Sequence, residues 1–527
     1  MKKRLIALLL TLAVTVSVPG LAERQNAELE KQLAGMKAAM SQEEIAALVE
    51  KTADFQTWTE ENEKVNMIDA VKVVDSRNLP EEVVDHTVRE TAQDGVRMIT
   101  SPVEGSNLVC CRLKFDAGTI PFALLHDYML LAGLLGAMDT ENYGRAELQT
   151  ELATLTYGAS FSANAVRYEA GGYHPYLDVS WTSLADQIGE GYGIIEEILL
   201  RTDFSDYDLI RKTVGQLSMS SKMMMELLPD MMIESFADAA LTEAGRYDLY
   251  TSGFAFIAYL DRVAAMNDGE MKETVERLEQ VRSLLLNRNG LIVACAGSEE
   301  SISASMDCAM EFAAGLDTAE HAQVSYDGEL PVVPERMAIV LNGGVQYNLL
   351  AARTDDLVGE LKGGLLALSQ LTSDKVLLPI LRYRNGAYGA SASMDQQVTR
   401  VSSYRDPNLA TTYEAFNEVG ETLRGLELTE EDLDGYISSV YVNFAMPEGP
   451  LTGAGTAIDD YIIGRDRGSL YLQWMKEIKQ FSVEDVKACA DLYDKLAETG
   501  VRVTAGSAAE IEKNRDLFDV VYTDLVG

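Results

Sequence analysis

The chain has 527 residues, 47% of them hydrophobic, which is enough for two to four packed domains. Asp and Glu total 83 against 44 Lys and Arg, which gives a formal net charge of −39. This acidic balance argues against nucleic acid or an anionic membrane as a partner, and it is compatible with basic peptides.

The first 22 residues have the pattern of a secretory signal peptide. Met1–Arg4 is basic, residues 5–18 are apolar, and Pro19–Ala22 offers small residues for cleavage. No cysteine lies near the cleavage point, and no later stretch reads as a membrane span. We therefore expect export without a membrane anchor, to the periplasm, the cell surface or the medium. Because the signal peptide directly precedes the next element, we also expect a complete chain.

Residues 23–58 predict a helical hairpin, with an apolar face that packs on a larger body. Ser41–Glu44 has the form of a capping box that begins the second helix. Residues 59–92 are polar and rich in turn formers, and they predict an extended connection. Without a CxxC pair, the five cysteines are interpreted as buried free thiols.

The remainder of the sequence predicts a duplicated domain, with one copy over residues 93–320 and the other over residues 324–527. Three matches occur in the same order, and together they indicate duplication. They pair residues 158–163 with 389–394, 204–209 with 428–433, and 289–298 with 499–507. In the second match, Ser205 and Thr429 are the predicted N-caps of long helices. Strands interrupted by long helices predict an α+β fold with mixed sheets.

The helix that follows Ser205 is rich in methionine. Two interpretations are open, a flexible groove for peptides and ordinary packing in the core, and core packing is favoured. The methionines are Met219, Met223, Met224, Met225, Met231 and Met232.

The stretch from Leu381 to Ser391 carries the candidate site. It follows an apolar helical run, residues 357–381, and opens a β-hairpin. Arg382 offers a planar fork of donors and Tyr388 a phenolic donor, and two such donors aimed at one carbonyl could stabilise an oxyanion. The alternative is a core tyrosine and a surface arginine. Gly386, Ala387 and Gly389 surround Tyr388, so a substrate backbone could approach its ring closely.

These features resemble the presequence-protease branch of the pitrilysin/insulinase metallopeptidases. The resemblance rests on duplicated α+β domains behind a helical hairpin and on Arg-x-x-x-Gly-Ala-Tyr-Gly from Arg382. It also rests on Ser-Tyr-Arg-Asp-Pro-Asn over residues 403–408 and, less specifically, on residues 447–451 and Arg465. It covers nearly all of the expected mature chain.

The resemblance implies two α/β-sandwich domains that form the non-zinc half of a clamshell peptidase. In that family an Arg and a Tyr of this half reach the substrate beside the zinc ion, and the resemblance gives this role to Arg382 and Tyr388. The zinc motif H-x-x-E-H is absent: His126 is followed at the required spacing by Met129 and Leu130. The nearest approach to the motif, Asp317–His321, has Asp where the first His belongs.

The resulting hypothesis is an exported chain that holds no zinc itself. It would cleave small unfolded peptides only in a complex with a separate chain that bears H-x-x-E-H and zinc. The alternative is a catalytically inactive peptide-binding or scaffold protein of the same fold. Retention of Arg382 and Tyr388 favours the peptidase complex.

Overall fold

The structure is a computed structural model that describes residue 37 and residues 40–63 and 75–523. The signal peptide and the first helix of the predicted hairpin lie outside these residues. The described strands form two six-stranded mixed sheets. The strands are β1 Arg89–Gln93, β2 Val96–Pro102, β3 Leu108–Asp116, β4 Tyr157–Arg167, β5 Tyr173–Leu184, β6 Ile292–Gly297, β7 Arg336–Leu341, β8 Gln346–Arg353, β9 Gly389–Met394, β10 Val398–Asp406, β11 Val501–Ser507 and β12 Val520–Tyr522.

The two sheets have the same strand order, which agrees with the predicted duplication. The first runs β1-β2-β6-β3-β5-β4 and the second β12-β7-β11-β8-β10-β9, so five strands correspond one to one. The two sheets have a parallel strand pair at corresponding places: β6 pairs with β2, and β11 pairs with β7. Only the outer edge differs, because β1 is antiparallel to β2 whereas β12 is parallel to β7. The exact domain boundaries stay a prediction.

Helices surround both sheets. Capping boxes begin several of them, including Asn267 with Glu270 and Thr429 with Asp432. The α-helices are α1 Gln42–Glu63, α2 Leu125–Leu134, α3 Arg145–Leu155, α4 Ile188–Arg201, α5 Tyr207–Leu227, α6 Pro229–Leu241, α7 Glu243–Ser252, α8 Phe254–Ala264, α9 Asp268–Leu285, α10 Glu299–Ala314, α11 Thr354–Val358, α12 Gly363–Thr372, α13 Ala410–Asn417, α14 Val419–Gly425, α15 Glu430–Ala445, α16 Pro450–Ile463, α17 Arg467–Gln480, α18 Val483–Ala488, α19 Ala490–Thr499 and α20 Ala508–Lys513.

One helix of each repeat packs against the sheet of the other repeat; we call these two the exchanged helices. Helix α6 of the first repeat packs on β8 and β11 of the second sheet, where Ile233 and Phe236 join a core with Leu349 and Val503. Helix α16 of the second repeat packs on β2, β3 and β6, where Ile458 joins a core with sheet residues that include Ile292. Each sheet therefore has helices of its own repeat on one face and a helix of the other repeat on the opposite face.

Several local predictions are corrected by the structure. Helix α1 continues to Glu63, beyond the predicted end at 58, and β1 replaces part of the predicted extended connection. The capping box at Ser41 and Glu44 is confirmed, but Leu48 and Val49 of α1, predicted to lie on a packed face, are exposed.

At the start of α5, Asp206 is the N-cap, because its carboxylate accepts from the backbone of Leu209. The predicted cap, Ser205, bonds to Asp203 instead. All five cysteines are free; Cys111 and Cys295 are buried as predicted, and the other three are half-buried.

The favoured interpretation of the methionine-rich stretch, core packing, is confirmed for Met232, which is buried in a core cluster, and is wrong for four of the other methionines. Met219, Met223, Met224 and Met231 are each more than half exposed. The buried face of α5 consists of Ile210, Thr213, Val214 and Ser218. The first turns of α5 supply enough apolar contact with the core, which leaves the methionines of its last turns outside.

The stretch Gly363–Arg384 has the length and apolarity of a membrane span, contrary to the sequence prediction that no such stretch follows the N-terminus. More than half of it is buried inside the protein, and its leucines belong to the core of the second repeat. It is accordingly a core helix of this fold.

Candidate functional site

The candidate site lies where a helix of the second repeat turns into edge strand β9. The predicted continuous helix over residues 357–381 is broken, because Gly359 leaves α11 at φ 76° and α12 begins only at Gly363. From Ser373 to Arg384 the helix is a π-helix that contains Pro379, which has no N–H to donate. Such wide turns are rare and occur frequently at functional sites.

The turn that follows is tightly determined by its backbone. Ala387 donates its N–H to Leu381 at 2.8 Å, and Gly386 donates to Arg382 at 3.2 Å. Gly386 has φ 85°, which favours glycine strongly over any other residue. The Ala387 side chain is buried, so this turn anchors the start of β9 while Tyr388 beside it stays 64% exposed.

The structure brings Arg382 and Tyr388 together. The Arg382 guanidinium carbon lies 5.6 Å from the centroid of the Tyr388 ring, in the range of a cation–π contact. Both side chains are exposed, which excludes the alternative of a core tyrosine. Ala387 is buried beneath this turn, Gly386 is exposed, and a Cβ added at Gly389 would lie 3.6 Å from the Tyr404 Cβ. The substrate-binding role of Gly386, Ala387 and Gly389 stays a prediction.

The second motif of the sequence, residues 403–408, supports this turn from behind. Asp406 is fully buried and accepts hydrogen bonds from the Asn408 N–H at 2.8 Å and the Thr412 hydroxyl at 2.6 Å. The Asn408 side-chain amide in turn donates to the Asn385 carbonyl at 2.9 Å. A buried carboxylate therefore fixes the loop that carries Arg382 and Tyr388.

Sequence analysis missed a second pair of arginine and tyrosine beside the first. Tyr404 lies 6.0 Å from Tyr388 between ring centroids, and the Arg405 guanidinium lies 5.6 Å from the Tyr404 ring. Arg405 has φ 47°, a strained conformation for a residue with a side chain, and strain of this kind clusters at functional sites. Contact with Tyr347 raises the pKa of Arg405 further. The Tyr-Arg dipeptide within the quoted motif was the available signal.

Three arginines of this region have no carboxylate partner. Most arginines in the described part of the chain form an ion pair, whereas Arg382, Arg384 and Arg405 form none among the described residues, as is also true of Arg145, Arg262, Arg288, Arg502 and Arg515. The chain as a whole carries a net charge of −39. The guanidinium groups of Arg382, Arg384 and Arg405 lie near three exposed or half-exposed tyrosines. These are Tyr383, Tyr388 and Tyr404. Together they form a surface that can donate hydrogen bonds to carbonyl and carboxylate groups.

The largest described cavity, of about 1050 Å³, lies elsewhere, between the two repeats. Its walls are joined across the repeats by Glu169, which accepts from Arg465 at 2.9 Å and from Gln396 at 2.5 Å. Arg382 and Tyr388 are not among its lining residues. We interpret this cavity as the joint between the repeats.

Comparison with known proteins places the chain in a family. Residues 16–263 match the family model for the region associated with subfamily C of the M16 peptidases, and residues 337–507 match "PreP C-terminal domain". Together the two models cover well over half of the chain. The chain belongs to the pitrilysin/insulinase-type M16 peptidase family, in its presequence-protease branch, and corresponds to the C-terminal half of these proteins.

Individual relatives agree with this assignment. The chain is similar to Protein HypA of Clostridium perfringens, at 22% identity over 95% of this chain and 51% of that protein. It is also similar to Presequence protease 1, chloroplastic/mitochondrial, of Arabidopsis thaliana, at 24% identity over 94% of this chain and 46% of that protein. The chain thus spans about half the length of these curated relatives.

A solved structure shows the same fold. The peptidase M16 inactive domain from Pseudomonas fluorescens superposes with a TM-score of 0.53 at 13% identity, over 81% of this chain and 98% of that one.

The family implies a zinc ion, and the described residues of this chain do not fit one. No three His, Cys, Asp or Glu side chains among them are grouped as a metal site requires. His126 of α2 is engaged with Tyr250. Its Nε2 lies 3.0 Å from the Tyr250 carbonyl oxygen and its ring stacks on Tyr250 at 4.5 Å.

Proposed function

We propose that this chain is the non-zinc half of a two-chain clamshell peptidase, and that Arg382 and Tyr388 hold the backbone of a peptide substrate. The observation that carries the proposal is the pair itself. An unpaired guanidinium stacks on an exposed phenol, at a turn fixed by Gly386 and by the buried Asp406. In so acidic a chain, an arginine without a carboxylate partner is available for a ligand.

The chemistry of the pair suits a carbonyl group under attack. Arg382 offers several N–H donors in one plane and Tyr388 offers one O–H donor. Both interactions strengthen when the carbonyl oxygen gains negative charge, and fixed donors need no reorganisation at that moment. Because the cation already rests against the ring, the two donors approach the substrate from one direction with little conformational freedom to lose.

The remaining chemistry belongs to a second chain in this proposal. That chain would bear H-x-x-E-H and its zinc ion, and this chain would supply one wall of the chamber and the Arg382–Tyr388 pair. The proposal is supported by relatives about twice as long, which have room for both halves in one polypeptide. Small unfolded peptides are the proposed substrates, and export of both chains is part of the proposal.

The first test is capture of the partner. The full chain, tagged at its C-terminus and expressed in its native host, should recover an exported protein with H-x-x-E-H in stoichiometric amount. The purified complex should cleave a fluorogenic peptide, and the chain alone should not. Recovery of a free monomer with no cleaving partner would favour the alternative, an inactive binding or scaffold protein.

The second test distinguishes a specific role of the Arg382 guanidinium from a general effect of positive charge. Arg382→Lys keeps the positive charge but loses the planar fork, so turnover by the complex should fall strongly. Arg384→Lys is the matched control, since Arg384 is exposed, lies two residues away and also lacks an ion pair in the described part of the chain. Complex formation and thermal stability should be unchanged in both variants. Equal turnover of the two variants, or unfolding of Arg382→Lys, would mean that Arg382 has a structural role.

A further inference from the structure

The two repeats contain a comparable groove, but only in the second repeat does an extended segment from another part of the described chain form one wall of it. In the first repeat the groove lies between the end of α5, helix α6, helix α7 and the start of α8. In the second it lies between the end of α15, helix α16 and the start of α17. Both α6 and α16 begin with proline at the first helical position, Pro229 and Pro450, and both are the helices exchanged between the sheets. The grooves are therefore comparable features of the two repeats.

In the second repeat, an extended segment of the chain itself lies in the groove. Residues 79–88 cross it, and Val83, His86 and Val88 form part of its wall. His86 lies where a side chain of Gly453 would project, because a Cβ at Gly453 would be 2.3 Å from the His86 Nε2.

A lysine of α17, outside the lining of the second groove, secures this segment. Lys479 donates to the Leu79 carbonyl at 2.8 Å and pairs with Glu81 at 2.9 Å. The groove thus binds an extended, partly apolar and acidic strand of polypeptide.

The groove of the first repeat has the more apolar walls. We call it the methionine groove; it encloses about 360 Å³. Its apolar lining includes Met224, Met225, Leu228, Met231, Met232 and Phe236. Met224 and Met231 are more than half exposed, and Met232 stands in α6 where Gly453 stands in α16. Among the described residues, no segment comparable with 79–88 crosses this groove.

Acidic side chains outnumber basic ones around the methionine groove, and in its lining Asp238 and Asp248 pair with Arg167. Glu226, Asp230 and Glu234 surround its methionines on α5 and α6. One carboxylate oxygen of Asp230 is buried without a hydrogen-bond partner in the described part of the protein. Partial desolvation, together with the carboxylates of Asp238 and Asp230, raises the pKa of Glu234. An occupant would therefore satisfy these carboxylates with basic groups.

We propose that the methionine groove binds an extended, apolar segment with basic side chains from a partner polypeptide, as the second groove binds residues 79–88. Methionine suits such a surface because its unbranched, polarisable side chain adapts to different apolar partners. The chain's own strong negative charge makes a basic segment of another chain the complementary occupant. This surface is distinct from the Arg382–Tyr388 pair, so the inference stands or falls independently of the peptidase role.

The test uses two synthetic decapeptides and the full-length chain. The first peptide has the sequence of residues 79–88 with Glu81→Lys, Glu82→Lys and Asp85→Lys, and the second has the unchanged sequence. Oxidation of individual methionines by dilute hydrogen peroxide is followed by mass spectrometry, because exposed methionine is oxidised readily. At a concentration ten times its Kd, the basic peptide should slow oxidation of Met224 and Met231 about tenfold. Met219, which is 66% exposed and lies outside the lining, should be unaffected.

Two surface variants locate the effect. Met231→Lys should abolish protection of Met224 by the basic peptide, whereas Met219→Lys should leave it unchanged. Both methionines are exposed, so neither change threatens folding. Equal protection by both peptides, or none by the basic peptide, would overturn the proposal. Slow oxidation of Met224 and Met231 in the chain alone would also overturn it, because the groove would then be covered by the chain itself or by a second copy.

Discussion

The two repeats begin their edge strand with the same tyrosine, but only the second repeat adds the arginine. Residues 157–160 and 388–391 both read Tyr-Gly-Ala-Ser, and Tyr157 is 82% exposed where Tyr388 is 64% exposed. Six residues before the tyrosine, however, the first repeat has Glu151 and the second has Arg382. The tyrosine comes with the repeat, whereas the cation is specific to one copy. The fold alone therefore does not require the pair, which makes a role in binding the better explanation of Arg382.

The largest effect should come from removing one hydroxyl. In the proposed two-chain complex, Tyr388→Phe keeps the ring under Arg382 but removes the hydroxyl donor, and loss of one oxyanion donor typically costs on the order of 100- to 1000-fold in turnover. Tyr157→Phe removes the equivalent hydroxyl of the first repeat, which has no arginine beside it, and should leave turnover unchanged. Steady-state cleavage of a fluorogenic peptide measures both.

The two tyrosine variants also serve as controls for one another. Both side chains are exposed, so melting temperature and complex formation should match those of the unchanged chain. Equal turnover of both variants would show that the tyrosine is only a shared feature of the fold.

The sequence predicted the parts of the fold that depend on local order. The three internal matches predicted the duplication, and the strand orders of the two sheets agree with it. The family resemblance implied a joint role for Arg382 and Tyr388, and the turn at Gly386 brings the two side chains into contact. The duplication follows from repeated local patterns, which a single sequence contains.

The remaining features depend on contacts between distant segments. The outward position of Met224 and Met231 could not be predicted, since an apolar helix face reads the same whether a partner covers it or not. The exchange of α6 and α16 between the sheets depends on long-range packing, as does the contact of Tyr404 with Tyr388. The π-helix before Arg382 reflects the fit of Pro379 within a packed helix, where a standard continuous helix was predicted.

A second comparison concerns the exchanged helices, each of which is joined to the other sheet by an aspartate. Asp238 of α6 pairs with Arg400 at 2.8 Å, and the Arg400 side chain is only 14% exposed. Asp459 of α16 pairs with Arg112, and the Asp459 side chain is 48% exposed. Exposed pairs contribute at most about 1 kcal/mol, whereas breaking a buried pair costs about 3 kcal/mol or more.

Removal of the two aspartates should therefore have unequal effects. Asp238→Ala should lower the free energy of unfolding by about 2 kcal/mol, because its partner is largely buried and keeps only Asp395. Asp459→Ala should cost less than about 1 kcal/mol, since Arg112 is more exposed and retains Asp178. Urea unfolding followed by circular dichroism measures both. Equal costs would indicate that the two helices are held by apolar packing alone.

The smallest expected effect is a difference between the two repeats in how their stability depends on pH. Residues 324–527 contain no histidine, whereas the first repeat holds His126 against Tyr250. Burial lowers the pKa of His126, although a hydrogen bond to the Tyr250 carbonyl opposes the shift. The unfolded chain therefore takes up a proton near pH 6.5 before the folded chain does, and stability that is fully present above pH 6.5 decreases as the pH falls toward the folded-state pKa.

Trp181 lies in the core of the first repeat and Trp474 in that of the second, so variants that retain one of them report each repeat by fluorescence. Between pH 7.5 and 5.5 the urea midpoint reported by Trp181 should decrease, and His126→Gln should reduce that decrease even though the loss of ring stacking lowers the midpoint at both pH values. If the variant keeps the full pH difference, other groups of the first repeat take up the proton and the position of His126 has no part in it.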